Sequence, residues 1–332
     1  MQSRNNSPRF YLLDLARGIA ALGIFFYHVA GKTKPFNALY VLVDFFFVLS
    51  GFVLYDQIPS TYNFSKFKEF TKKRIKRLVP TAYLGIIISY LVYTFTNQLQ
   101  FITPEKKLHV DGFTFLLALL FLQFIVPSSA ALIVTMWSLS VEIFVNIFFA
   151  LTGIKRNIPI SLLIISLISL SILLGNPTPN LTSGWIALAR GFFGFSFGLI
   201  TRNLHNKVKA KTTFQTLFSL VIGVILILLV STSSVYFILL IPPSMSYLIY
   251  NLASIEIIND KVKLFCKLLG DFSYGIYIWH TPILYFVDII LSSVKKSDGY
   301  FIFKVLEISI TLSLTFIFTW TSIKLFKNSK LS

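Results

Sequence analysis

Five ionisable side chains, His28, Asp44, Glu142, Arg190 and His280, lie inside stretches of this sequence that are otherwise apolar. An ionisable group within a membrane span is energetically costly, so it marks a functional site by default. The residue types suggest proton transfer. Imidazole titrates near neutral pH, and a neighbouring carboxylate can fix its tautomer. Two histidines with Asp44 or Glu142 therefore suit removal of a proton from a hydroxyl. These four are the catalytic candidates. Ser273, Tyr277 and His280 fall at i, i+4 and i+7, on one face of a helix.

The first apolar stretch, Tyr11 to Ala30, adds Asp14 and Arg17 to His28. Arg17 and His28 are eleven residues apart, about three turns of one face and about 16 Å along the axis. Asp14 lies one turn from Arg17. Two readings stand: an internal Asp14–Arg17 ion pair beside a packed histidine, or one helix carrying a cation at one end and a base at the other. Ser50 and Ser273 read either as nucleophiles or, since Gly51 follows Ser50, as close helix packing. Ala187, Gly191, Gly194 and Gly198 around Arg190 read as a packing face that could also admit a slender ligand. The run Lys72-Lys-Arg-Ile-Lys-Arg-Leu-Val-Pro80 is either an anchor on anionic headgroups or a phosphate site. In the second case Arg74 and Arg77, one turn apart, make bidentate contacts. Arg17, Arg74, Arg77, Arg190, Ser50, Ser273 and Tyr277 are carried as substrate- or donor-binding candidates.

The elements that must position these groups follow from composition. Of 332 residues 55% are apolar and 13% charged, with a mean hydropathy of +0.75. That predicts an all-α polytopic membrane protein. Spanning segments fall at 11–30, 37–56, 78–97, 138–154, 158–175, 184–201, 214–232, 234–252, 268–290 and 300–323. A further segment, 113–126, is short and reads as re-entrant or interfacial. If it does not cross, 21 basic residues fall on the side of the termini and 6 on the other. The positive-inside rule then predicts ten spans with both termini cytoplasmic. Residues 57–77, 202–211 and 254–267 would be inside, and 97–136 and 291–299 outside. The five embedded groups then share one depth, which reads as a polar cavity opening outward. The net charge of +17 is assigned to topology rather than to nucleic acid. The lone Cys266 excludes an intrachain disulfide and a cysteine-cluster metal site; it sits among lysines outside the apolar stretches. No metal site, cleavable signal peptide, internal repeat or soluble domain is expected, and residues 1–332 read as one integral-membrane domain. Asn63-Phe-Ser65 and Asn180-Leu-Thr182 match the glycosylation pattern, which is common by chance.

At these residues the chain resembles the membrane-bound acyltransferase-3 family of bacterial surface-glycan O-acyltransferases. Leu13-Asp-Leu-Ala-Arg-Gly-Ile-Ala-Ala-Leu with His28 resembles its Arg/Lys-x10-His signature. Asp44-Phe-Phe-Phe-Val-Leu-Ser-Gly-Phe52 resembles its second-span motif, and Arg74-x-x-Arg77 with Pro80 its basic motif. Trp137-Ser-Leu-Ser-Val-Glu142 and Ser273-Tyr-Gly-Ile-Tyr-Ile-Trp-His280 resemble the later ones. The aromatic pair usual after the Glu142 motif is absent, since Ile143-Phe-Val-Asn146 stands there. The chain ends shortly after its last span, so the hydrolase-like extracytoplasmic domain of some members is not expected.

The resemblance implies transfer of an acyl group, most simply acetyl, from cytoplasmic acetyl-CoA. The acceptor would be a hydroxyl of a lipid-linked or surface glycan of O-antigen, capsule, lipopolysaccharide or exopolysaccharide type. It implies a place in the bacterial inner membrane, with membrane lipids around the chain and no permanently bound cofactor. In that scheme Arg74 and Arg77 hold CoA phosphates and Arg17 guides the donor. His28, oriented by Asp44 or Glu142, is the base; His280 stabilises the oxyanion or binds sugar. His109 and His205, read as loop residues, would serve as controls. The rival reading is a proton-coupled transporter of a glycan or organic anion, with the same groups as a relay. A glycan polymerase or ligase is a third.

Overall fold

The computed structural model describes residues 9–31, 33–34, 36–98, 110–126, 132–153, 157–175, 181–208, 213–232, 235–292 and 300–328. His109, Asn180 and the loop residues Lys32, Lys106, Lys107, Lys155, Arg156, Lys295 and Lys296 lie outside these. The described residues form helices α1 (Tyr11–Ala30), α2 (Leu42–Leu54), α3 (Phe64–Asn97), α4 (Gly112–Leu119), α5 (Met136–Thr152) and α6 (Asn157–Leu173). Then follow α7 (Gly184–Lys207), α8 (Thr213–Thr232), α9 (Ile241–Ala253), α10 (Asp260–Ser292) and α11 (Tyr300–Asn328). Short 3-10 segments, Phe36–Val41 and Val235–Leu240, lead into α2 and α9. Among the described residues eight helical stretches, two of them counted with the 3-10 segments that lead into α2 and α9, are long and apolar enough to cross a membrane, and α5 and α6, at 17 residues each, sit at the lower length limit. The chain is an all-helical, multi-pass membrane protein.

Two differences from the sequence expectation concern helix starts. The basic stretch before Pro80 is not a loop: α3 runs without a break from Phe64 through Pro80 to Asn97. Asn63 caps it by accepting from the Lys66 N–H, and residues 64–77 hold neither Gly nor Pro, so nothing interrupts the helix. Likewise α10 begins at Asp260, so Cys266 lies within a helix and is buried.

Segment 113–126 does not form a span. Helix α4 has 8 residues, about 12 Å of length against a hydrocarbon core of about 30 Å. Just past the end of α4, Phe121 has a left-handed φ of 55°, a conformation no helix can continue through.

Helix directions agree. Helices α1 and α10 pack side by side and run the same way: Asp14 meets Gly270, Gly18 meets Leu269, and His28 meets His280. Helices α2 and α7 are also parallel and in register, with Asp44 at Arg190, Phe47 at Gly194, Gly51 at Gly198 and Asp56 at Arg202. Both pairs can be parallel only if α4 stays on one side; a crossing by α4 would reverse α7 and α10 against α2 and α1.

Glycines set how closely these pairs approach. A Cβ on Gly198 would run into the backbone of Val48 and Phe52, and one on Gly51 into that of Phe195. Gly191 meets Val141 and Val145 of α5. The small residues around Arg190 are thus a packing face.

Candidate active site

Helix α1 carries the site from end to end. Near its start Asp14 is buried and doubly paired: Arg9 Nε donates to Oδ2 at 2.6 Å, and Arg17 pairs with Oδ1. Arg9 also reaches Asp271 of α10 at 3.2 Å. Arg9 lies outside the spans. Burial works against its charge, but its bonds to Asp14 and Asp271 outweigh that and raise its pKa. Arg17 keeps a buried Nε with no hydrogen-bond partner among the described residues.

Helix α3 brings its basic face to the same place. Arg74 donates to Glu142 at 2.6 Å, and Ser50 donates to the same Glu142 oxygen at 2.9 Å. Arg74 Nε is buried and has no hydrogen-bond partner among the described residues. Arg77 is exposed and forms no hydrogen bond or ion pair among the described residues. The charges acting on it are those of Arg74, Glu142, Asp14 and Asp271, and Arg77 in turn acts on Arg17. Four guanidinium groups thus gather around three carboxylates, leaving one positive charge in excess, carried by Arg77.

At the far end of α1 the two histidines meet. His280 Nε2 lies 3.2 Å from His28 Nδ1. His28 Nδ1 is also 3.0 Å from the Ile24 carbonyl, and His280 Nδ1 is 2.8 Å from the Ile276 carbonyl. A carbonyl only accepts, so in each ring Nδ1 carries the hydrogen. That leaves a lone pair on His28 Nε2, which has no partner among the described residues and is not closed off from solvent.

The structure therefore splits the five groups expected at one level. His28 and His280 form one cluster. Glu142 belongs to the arginine cluster, because its partner Arg74 lies one turn before Arg77 on α3. Asp44 and Arg190 form a third, closed pair: Nε to Oδ1 at 3.1 Å and NH2 to Oδ2 at 2.8 Å. Arg190 NH1 donates to the Leu181 carbonyl at 2.7 Å, and its guanidinium lies over Trp137. Neither Asp44 nor Glu142 touches His28, contrary to the expected orientation by a carboxylate; the Ile24 carbonyl and His280 do that instead.

The remaining candidates bond within the protein. Ser273 donates to the Gly270 carbonyl at 2.7 Å. The Tyr277 hydroxyl bonds Ser138 and the Thr135 carbonyl, tying α10 to the start of α5. His205 is not a loop residue. It lies in the last turn of α7, buried, beside Arg202 and against Phe10, Phe52 and Tyr250. Sequence reasoning missed Arg9 and Asp271, which tie the residues before α1 to the body of α10. Asp271 adjoins the quoted Ser273 motif and was the available signal. The concave pocket resolved between α5, α6 and α7, about 270 Å³, is lined by Phe144, Phe148, Trp185 and Phe192 and is apolar. It holds none of these groups.

The acyltransferase-3 family profile, an acyltransferase domain, matches residues 10–325, and the chain belongs to that family. It is 27% identical over 326 residues to the O-acetyltransferase OatA of Staphylococcus aureus, covering 85% of this chain and 52% of the relative. The chain thus spans about half the length of that curated relative. It is 27% identical over 295 residues to a putative acetyltransferase, ORF330, of Acidianus two-tailed virus, covering 83% of each. It is 31% identical over 183 residues to protein 2 in the picA locus of Rhizobium radiobacter, covering 49% of this chain and 93% of the relative. No solved structure matches the chain.

Proposed function

We propose that this chain is a membrane O-acetyltransferase that moves an acetyl group from acetyl-CoA to a hydroxyl of a lipid-linked or surface glycan. The observation that carries the reading is the His28–His280 pair with an accessible lone pair on His28 Nε2. It lies on the same helix as Arg17, about 16 Å further along the axis.

The CoA phosphates sit against Arg77, a guanidinium with no bonded partner among the described residues, with Arg17 beside it. Arg74 contributes less, because Glu142 already takes its charge. The pantetheine arm then runs along α1 and brings the thioester towards His28. His28 Nε2 takes the proton of the acceptor hydroxyl as its oxygen attacks the thioester carbonyl. The C–S bond breaks, the sulfur leaves with the proton from His28, and the products are the acetyl ester and free CoA. A positioned base of this kind contributes about 10²- to 10⁴-fold. The excess of basic residues on the side of the termini supports a cytoplasmic-membrane location with both termini inside, and so a cytoplasmic donor and an outer acceptor.

The test is mass spectrometry of surface polysaccharide from a deletion strain complemented with wild type or His28→Ala. Wild type should restore an acetyl mass that His28→Ala does not, at equal membrane content of protein. A His28→Ala protein that acetylates at the wild-type rate makes His28 structural. Substrate movement without any acetyl gain would favour a transporter.

A further inference from the structure

We propose that His280 is a positioning residue: its Nε2 accepts the Nδ1–H of His28 and supports the charge His28 gains with the acceptor's proton, a role that presupposes the acyl-transfer reading. Both nitrogens of His280 are committed. Nδ1 lies 2.8 Å from the Ile276 carbonyl and so donates. Nε2 lies 3.2 Å from a His28 nitrogen that the Ile24 carbonyl, at 3.0 Å, already requires to be protonated. The hydrogen between the rings therefore belongs to His28, and the lone pair facing it belongs to His280.

This arrangement conflicts with a substrate contact by His280. Its ring is 0% exposed and packs near Phe25 and Tyr277. To donate to an oxyanion from Nε2 it would need a second proton, and the His28 N–H already points at that atom. A carboxylate would normally do this supporting work. Here Asp44 is held by both arms of Arg190, and Glu142 by Arg74 and Ser50. A neutral imidazole stands in the place of the acid. When His28 becomes an imidazolium, its Nδ1–H bonds strengthen because the donor is then charged. Proton uptake at Nε2 is thereby favoured without any change in donor or acceptor binding.

The test is a series of His280→Leu, His280→Gln and His280→Glu in membrane vesicles that carry endogenous glycan, with radiolabelled acetyl-CoA as donor and label in the glycan as readout. Leu should lower kcat about 10- to 100-fold at unchanged KM for acetyl-CoA. Gln and Glu, which each present an oxygen acceptor, should recover at least a third of the loss on a logarithmic scale. Glu is decisive: an ionised carboxylate accepts but cannot donate, and it repels an oxyanion. If Gln is active and Glu is as poor as Leu, His280 is a donor and the proposal fails. It fails equally if Leu raises the glycan concentration needed for half-maximal rate and leaves kcat alone. A second measurement needs neither turnover nor variants. With 15N-histidine in the purified wild-type protein, a coupling should cross the shared hydrogen between His28 Nδ1 and His280 Nε2. Its absence overturns the proposal. A coupling present in a protein that transfers no acetyl group would instead refute the acyl-transfer reading.

Discussion

Arg190 and Arg77 are both arginines set in membrane helices, and the protein completes one and leaves the other open. Arg190 is 2% exposed, and every arm of its guanidinium is used by Asp44 or the Leu181 carbonyl, with Trp137 against its face. Arg77 is exposed, has no bonded partner among the described residues, and has Arg74 and Arg17 for neighbours. A buried charge is tolerated when its partners are complete. An unmatched one held among like charges favours a site that an anion fills. The first arrangement fixes how α2 lies on α7; the second leaves a positive charge that the described residues do not neutralise.

Breaking the closed pair should give the largest effect. Asp44→Ala leaves a buried guanidinium without its carboxylate, which should cost about 3–5 kcal/mol of stability. Thermal unfolding of the detergent-solubilised protein would measure it. The double change Asp44→Leu with Arg190→Leu should recover most of that loss, since no charge is then left unpaired. An Asp44→Ala protein as stable as wild type but without activity would move Asp44 from scaffold to chemistry.

Opening the other region further should act on binding instead. Arg77→Ala should raise the KM for acetyl-CoA about 10- to 100-fold, the value of a lost charge-assisted contact. The unfolding midpoint should not fall, because no protein partner is orphaned. Arg77→Lys should recover only part of the affinity, as an ammonium cannot make the two-pronged contact. Unchanged KM in Arg77→Ala would make the basic face of α3 a headgroup anchor.

Much of this was legible in the sequence, for physical reasons. Long apolar runs admit one solution in a bilayer, so ten spans and a short eleventh piece could be read from length and loop charge. Helical spacing placed Arg17 and His28 on one face. What the spacing could not supply was which helices lie side by side. Asp44, Glu142, Arg190 and the histidines were set at one depth from distances along the chain alone. The pairing of α2 with α7, and of α3 with α5, then separated them into three clusters. The dense basic charge of residues 72–77 reads as a loop, although residues 64–77 hold neither Gly nor Pro, and only the continuous helix shows how Arg74 reaches Glu142. Arg9 and Asp271 are each ordinary in sequence and meaningful only because α1 and α10 are parallel.

The smallest effect is expected at the end of α7. There His205 sits among Phe10, Phe52 and Tyr250 with ring centroids 5.6–5.8 Å away, next to Arg202, whose other arms hold Asp56. This cluster resembles Arg190 more than Arg77. It is buried, aromatic and internally bonded, and it ties the residue before α1 to α2 and α7. His205→Ala should therefore cost about 1–2 kcal/mol through lost packing and lower the unfolding midpoint by a few degrees. Acetyl transfer per folded molecule should stay at the wild-type level, with unchanged KM for acetyl-CoA. The contrast with His28→Ala is the useful one, since that variant should keep its midpoint and lose its rate. A His205→Ala protein that folds normally but raises the KM for acetyl-CoA would extend the donor site to α7 and blur the line between the closed and open arginines.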